Sequence, residues 1–464
     1  MALLPSVFIL QSGSRYLNLT KNIPSSLPYG FLRFDEEQIW SPRVRFAAEP
    51  AKTGNGRFVH IRSLYNNKYL VRKQIDETKS WIFVASAKNT EEDTSKDSCT
   101  LFEPYSLEDD EPTTIRLRQV QPKNFVTFHS TSHVDPRLAS STKRSFFNVI
   151  DAASVVVLPT KVAIWSNDHI LQSRNINSSN YQQFISGSEL AEPRAAKELV
   201  PTSDGNYRIK DVTFGQFFTR HTNWIWADAE ESDTSNNTTF SFVVIDNNTV
   251  GIRNLGNNYF CGAKSKNETV KNCLSAYFPS LTKQTRLTVT ERVLKRHIYD
   301  VEYRLNDVKI HDEQMLEVDT KTVNNETDSV SEDTLDFPIT KSRTSTWTSS
   351  QTINFGVEVT MTVNAVPFIV SGEVELRAGY SSTHDWGKSE TTEVVRQSNH
   401  TVTVPPHKKY KMSLMTTMGK CDVPFSYTQR DLLTTGEWVV TKKDDGVFSD
   451  VNNFNFYYEV VEVN

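Results

Sequence analysis

The sequence predicts an all-β protein in three parts, two similar closed β-domains followed by a longer β-sheet module. Three observations carry this. Short apolar strand starts followed by polar turns recur along residues 1–290, and that stretch repeats once as a whole. The remainder is rich in Thr, Ser and Val, in long alternating runs with few helix signals.

The repeat is ordered. Residues 58–70, FVHIRSLYNNKYL, align with 206–218, NYRIKDVTFGQFF, then Trp81-Ile82 with Trp224-Ile225, and EEDTS at 91–95 with ESDTS at 231–235. Phe102 matches Phe242, and LRQVQPKNF at 117–125 matches IRNLGNNYF at 252–260. This predicts two homologous domains, 1–153 and 154–290, each of roughly 140 residues. Inside each, a unit of strand, polar turn and aromatic or aliphatic residue occurs three times. The units are 7–17, 58–70 and 114–126 in the first domain, and 161–171, 206–218 and 249–260 in the second. Ile9/Leu17, Ile61/Tyr69, Leu117/Phe125, Ile209/Phe217 and Ile252/Phe260 share one spacing, and Ile164/Leu171 is one shorter. Three such units per closed domain is the pattern of a β-trefoil.

Both domains resemble the plant amaranthin-type agglutinin domain through NNKYLVR, SWI, the EEDTS…CTLFEPY block and NWIWAD…NLGNNYF. The resemblance implies two tandem β-trefoil lectin domains that bind galactose- or N-acetylgalactosamine-containing glycans. Sugar sites pair an aromatic face with planar amides or carboxylates that fix hydroxyls. On that chemistry the carbohydrate-binding candidates are Lys73, Asp76 and Trp81 in the first domain and His221, Asn223 and Trp224 in the second. The shared Trp-Ile placement equally suits two indoles built into the trefoil core. The family carries aromatic and polar residues before its Trp-Ile pair. Here KQIDETKS at 73–80 is charged and has no aromatic residue, and RHTNW at 220–224 is shorter still.

Segment 291–464 holds TKSRTSTWTSSQT (340–352), an amphipathic stretch at 353–380, and Val404-Pro405-Pro406. This order resembles the aerolysin and epsilon-toxin family, in which a Ser/Thr-rich strand pair flanks an amphipathic hairpin. The resemblance implies an elongated aerolysin-like pore-forming module, and the whole chain resembles plant chimerolectins that join the two parts. In the hairpin, Phe355, Val357, Val359, Met361 and Val363 alternate with polar residues, and Val370, Val374 and Leu376 do so on the return arm. These are expected to face lipid. Val366, Pro367, Phe368 and Ile369 form an apolar run expected to be the anchoring tip, because no Asn-Gly or Asp-Gly turn is present. Glu358, Glu373, Glu375 and Arg377 would line a pore lumen, with a sum of −2 per protomer that favours cations. One hairpin cannot satisfy its backbone in a bilayer, so this reading requires a homo-oligomer that closes a barrel. The alternatives are an ordinary half-buried hairpin, and a soluble stress or defence lectin whose module is only an assembly scaffold.

Composition excludes other classes. The 464 residues carry a net charge of −5, 37% hydrophobic and 23% charged residues, and no long basic run, which argues against nucleic acid. No apolar stretch is long enough for a transmembrane helix, and MALLPSVFILQSG reads as a first strand rather than a signal peptide. The expected partners are therefore glycans, and a target membrane after oligomerisation. The expected location of the soluble form is cytoplasmic or nucleocytoplasmic. The four cysteines, Cys99, Cys261, Cys273 and Cys421, match no zinc spacing and are expected as free buried thiols, with a Cys261–Cys273 pair as the other option. No catalytic motif occurs, so neither enzyme activity nor a cofactor is expected. Glu91-Glu92-Asp93 and Asp109-Asp110-Glu111 read as solvated surface.

Overall fold

The computed structural model describes residues 4–21, 23, 27–75, 81–106, 114–129, 137–141, 146–349 and 355–463. Among them the fold is all-β, and the only helical turns are six of the 3-10 type. The chain divides into two compact units. The first holds Met1–Arg296, Gln351–Glu358 and Arg430–Val440, and the second holds His297–Ser350, Val359–Gln429 and Thr441–Asn464.

The first unit contains two twelve-stranded sheets, one from Val7–Ser12 to Phe147–Asp151 and one from Lys161–Ser166 to Leu287–Glu291. Each closes on an apolar core. Leu10, Leu17, Phe34, Phe46, Ile61, Phe83, Phe102 and Leu117 fill the first, and Ile164, Leu171, Ile209, Phe218, Ile225, Phe240 and Ile252 the second. The recurring unit is visible as one backbone turn used four times. The N–H groups of Ser63, Gln119, Asp211 and Asn254 donate to the carbonyls of Lys68, Asn124, Gln216 and Tyr259. The residue before each acceptor, Asn67, Lys123, Gly215 or Asn258, has positive φ. Asn and Gly tolerate that conformation, which explains the NNK, GQ and GNN sequences.

The turn is followed by a shift that sequence spacing does not show. Register breaks occur at Tyr69/Leu70, Phe217/Phe218 and Phe260/Cys261. The residue that enters the main core is therefore Leu70, Phe218 or Cys261, one past the expected Tyr69, Phe217 or Phe260. Val126 likewise takes the core place expected of Phe125. An extra residue in one strand moves the following side chains to the other face.

The pairing also corrects the alignment of the two domains. Arg72 pairs with Phe83 and Lys73 with Ile82, as Arg220 pairs with Ile225 and His221 with Trp224. Trp224 thus occupies the position of Ile82, and Trp81 that of Asn223. Phe102, opposite Gln119, matches Phe240, opposite Asn254, rather than Phe242.

The second unit is built on an eight-stranded sheet. Its order runs Glu373–Asp385, Val359–Val370, Val293–Tyr303, Lys408–Leu433, Trp438–Val463, Ser331–Ser349 and Ser389–Val404, with Lys309–Asn325 also on Lys408–Leu433. Two apolar clusters support it. One gathers Ile298, Trp347, Met361, Val363, Phe425 and Phe448, and the other Phe337, Val402, Val404, Met412 and Leu414. All four cysteines are free and buried.

Candidate functional site

Two places combine exposure with unusual chemistry, an outer aromatic face of the second sheet domain and the hairpin of the second unit. On the strand Trp224–Ala229 alternate residues point to opposite sides. Ile225 and Ala227 enter the core, while Trp224, Trp226 and Asp228 remain half-buried on the outside. The His221 ring stacks on Trp226 at 4.2 Å between centroids, and its Nε2 lies 2.9 Å from the Asp228 carboxylate. Tyr181, from the neighbouring strand Ser179–Ser186, adds its ring at 5.3 Å from Trp226 and 6.0 Å from Trp224. The result is a ledge in which Trp224, Trp226 and the His221–Asp228 pair are half-buried over the buried Tyr181, Ile176, Val270 and Cys273.

Of the residues expected to bind sugar, His221 and Trp224 come together here. Asn223 does not present a free amide to the ledge, because its Oδ1 accepts from Asn257 Nδ2 at 3.3 Å and its carbonyl accepts from Ala276 N–H at 2.7 Å. Trp226, Asp228 and Tyr181 were missed by sequence reasoning. The alternation WIWAD held the signal for the first two, since Trp226 and Asp228 share a face with Trp224. Tyr181 lies 43 positions upstream of Trp224 in sequence, beyond any local pattern.

The equivalent face of the first domain is closed. Val71, Ile82, Val84 and Phe31 are buried there, with Ile23 and Leu27 packed over them. Trp81 sits beyond this cluster with the Arg72 guanidinium 4.2 Å over its ring, and Arg72 is itself paired with Asp97. Lys73 is exposed, and Asp76 lies outside the described residues. Among the described residues the first domain thus brings together no aromatic ledge at this position.

The Glu91-Glu92-Asp93 cluster is also more than solvated surface. Glu92 accepts from the N–H groups of Lys52 and Thr53 at 2.8 and 2.9 Å, and from His60 Nε2 at 3.2 Å. These hydrogen bonds, Thr53 first, outweigh desolvation and hold its carboxyl down at about 2. Asp109-Asp110-Glu111 lies outside the described residues.

The hairpin differs from expectation at both ends. Its strands are Val359–Val370 and Glu373–Asp385, joined by Ser371 and Gly372 at φ 51° and 82°. Two successive positive φ values make the tight turn that matches strand twist. The turn is therefore Ser-Gly, and Val366, Pro367, Phe368 and Ile369 belong to the first arm rather than to a tip. At the start, Phe355 lies in the core of the second sheet domain, with its carbonyl accepting from Glu291 N–H at 3.1 Å. Gly356, at φ 82°, breaks the extended run after it. Phe355, Val357 and Glu358 are therefore not part of the hairpin strands, and the arm's alternation begins at Val359.

Within the arm, Met361, Val363, Val366 and Ile369 are buried against Phe425, Phe448 and Phe454, while Val359, Phe368 and Val374 pack at the margin. A register shift between Val363 and Ala365 interrupts the alternation, and beyond it Val366, Pro367 and Ile369 are buried. Val370 is half-buried, and Leu376 is 42% exposed beside the exposed Glu373, Glu375 and Arg377. Without Glu358 the charged residues of the hairpin are Glu373, Glu375, Arg377 and Asp385, which again sum to −2 per protomer.

Residues 2–164 match the Agglutinin domain family, and residues 285–429 match the family described as Clostridium epsilon toxin ETX/Bacillus mosquitocidal toxin MTX2. The chain therefore carries an agglutinin domain at its N-terminus and an aerolysin-like toxin domain toward its C-terminus. No curated protein matches it. Among solved structures, a lamprey immune protein is 13% identical with a TM-score of 0.32, over 67% of this chain and 93% of that one. An aerolysin-like protein of Bombina maxima is 13% identical with a TM-score of 0.27, over 36% and 99%. A mosquitocidal holotoxin is 10% identical with a TM-score of 0.29, over 65% and 36%. These scores are too low to establish a common fold.

Proposed function

We propose that this protein is a glycan-directed pore former. The sheet domains dock on a glycosylated surface, and the second unit then oligomerises and inserts Val359–Asp385 into the target membrane as part of a closed β-barrel. The observation that carries this reading is the hairpin itself. It stores an apolar side, Met361, Val363, Val366 and Ile369, against the sheet and holds Glu373, Glu375 and Arg377 in water. A barrel needs that division between lipid and lumen, and closure by several copies leaves no unpaired edge. With −2 per protomer over Val359–Asp385 the pore is mildly cation-selective. The ledge of Tyr181, His221, Trp224, Trp226 and Asp228 is the glycan contact, and galactose or N-acetylgalactosamine is its first candidate. A defensive role against cells bearing such glycans follows from this reading.

Dye release from liposomes with and without galactose-bearing glycolipid tests it. Val374→Arg places a charge on the margin of the stored apolar side, where a lipid-facing cation is costly. The variant is expected to stay soluble and to lose release. Undiminished release, or no release by the parent protein on any glycolipid, would sink the pore-forming reading and leave an assembly scaffold.

A further inference from the structure

The two halves of the stored hairpin are held by different contacts. Its Met361–Val363 half packs in the apolar cluster, on a strand that neighbours Val293–Tyr303 in the sheet, with Thr362 Oγ1 2.9 Å from His297 Nε2. The half nearer the turn is held by directed polar contacts from two strands. Arg343, on Ser331–Ser349, donates from Nη2 to the Pro367 carbonyl at 2.8 Å and lays its guanidinium 3.8 Å over the Phe368 ring. Asn452, on Trp438–Val463, donates from Nδ2 to the Ile369 carbonyl at 3.2 Å. The two carbonyls are two residues apart on one arm, so this pair of bonds fixes both its position and its register.

Arg343 is itself held. Its Nε donates to Asp450 Oδ1 at 2.7 Å, and the Asp450 side chain is fully buried. Burial outweighs the attraction of Arg343 and pushes the Asp450 carboxyl up to about 6. Asp450 Oδ2 and Asn452 Oδ1 receive no hydrogen bond from any described protein group. A buried, half-satisfied polar cluster is costly to keep.

We propose that Arg343, pinned by Asp450 and aided by Asn452, is the clasp that keeps the turn half of the hairpin on the sheet, an autoinhibitory contact that must open before the arms extend. The inference rests on the pore-forming reading of the hairpin. Its chemistry is local: the guanidinium leaves a carbonyl and an aromatic face, and no covalent bond changes. Arg343 acts as a positioning residue throughout.

Hydrogen exchange on the full chain in solution, without membranes, reads the clasp directly. Arg343→Gln is expected to lower protection at 365–376 tenfold or more while Lys408–Leu433 keeps its protection. Asn452→Ala should lower the same segment by a smaller factor. Arg343→Lys, which keeps the charge beside Asp450 but lacks the planar fork, should fall between Gln and the parent. Unchanged protection at 365–376 in Arg343→Gln overturns the proposal. So does protection lost equally in Lys408–Leu433, which would make Arg343 a general support of the fold. Liposome release, measured separately, tells the two readings apart. Deprotection in the variant with no release by either protein keeps the clasp and removes the pore. Release by both proteins with equal protection keeps the pore and removes the clasp.

Discussion

The two sheet domains of the first unit share a backbone plan and solve the same positions with opposite chemistry. Phe46 pairs with Ser63 in the first domain where Lys197 pairs with Asp211 in the second. All four residues are fully buried. Phe46 belongs to the apolar core, while Lys197 Nζ lies 3.3 Å from Asp211 and donates to the Arg194 carbonyl at 2.9 Å. Asp211 is completed by Ser173 at 2.6 Å and Gln182 at 2.8 Å. Desolvation pulls the Lys197 ammonium down to about 8. The outer faces differ in the same spirit, one packed with Phe31 and Val84, the other with Tyr181, Trp224 and Trp226 over Ile176 and Val270. Duplication preserved strand pairing and turns and left side-chain chemistry free to diverge.

The largest effect should come from the buried pair. Lys197→Met strands Asp211 in the core and is expected to cost about 3–5 kcal/mol by chemical denaturation. Adding Asp211→Ser, the side chain found at the matching position of the first domain, should recover most of that loss. A double variant as unstable as the single one would break the equivalence.

Next in size is the ledge. Trp226→Ala is expected to weaken binding to immobilised galactosides at least tenfold, about 1.4 kcal/mol, with little change in the melting of the first domain. Equal loss from Trp81→Ala would place the binding face in both domains.

A smaller effect separates the domains in acid. Glu92 has Ser232 as its counterpart in the ESDTS block. Its carboxyl is depressed to about 2 in the fold, below the ordinary value near 4.3. The unfolded chain therefore binds the proton first. The stability contributed by Glu92 is present above about pH 4.3 and is lost as pH falls toward 2. Glu92→Gln should flatten that part of the first domain's acid profile, and Ser232→Ala should leave the second domain's profile unchanged. Smallest of all, Trp81→Ala should shift glycan affinity less than about twofold, under 0.5 kcal/mol, because Arg72 already covers one face of that ring.

Much of this architecture is legible in the sequence, for physical reasons. Strand alternation and Asn- or Gly-containing turns are local, so the all-β class, the duplication and the hairpin could all be read from residue order. Bulges are not local, because the extra residue shows only against its partner strand. That is why Tyr69, Phe217 and Phe260 are each one place from the core. The Ser371-Gly372 turn was present in the sequence and was outweighed by the apolar run before it. The clasp could not be read at all. Arg343 meets Asp450 across 107 positions and Pro367 across 24, and no periodicity spans such distances.

The Ser-Gly turn also sets a length scale. The first arm has 12 residues. At about 3.4 Å per residue and a tilt of about 45°, such an arm rises about 29 Å, against a hydrocarbon thickness of about 30 Å. An arm that ended at Val366 would stop well short of the far side. In the barrel we propose, counted to Ser371-Gly372, the apolar run would be bilayer-spanning wall, and a polar, glycine-containing loop would emerge into the compartment beyond.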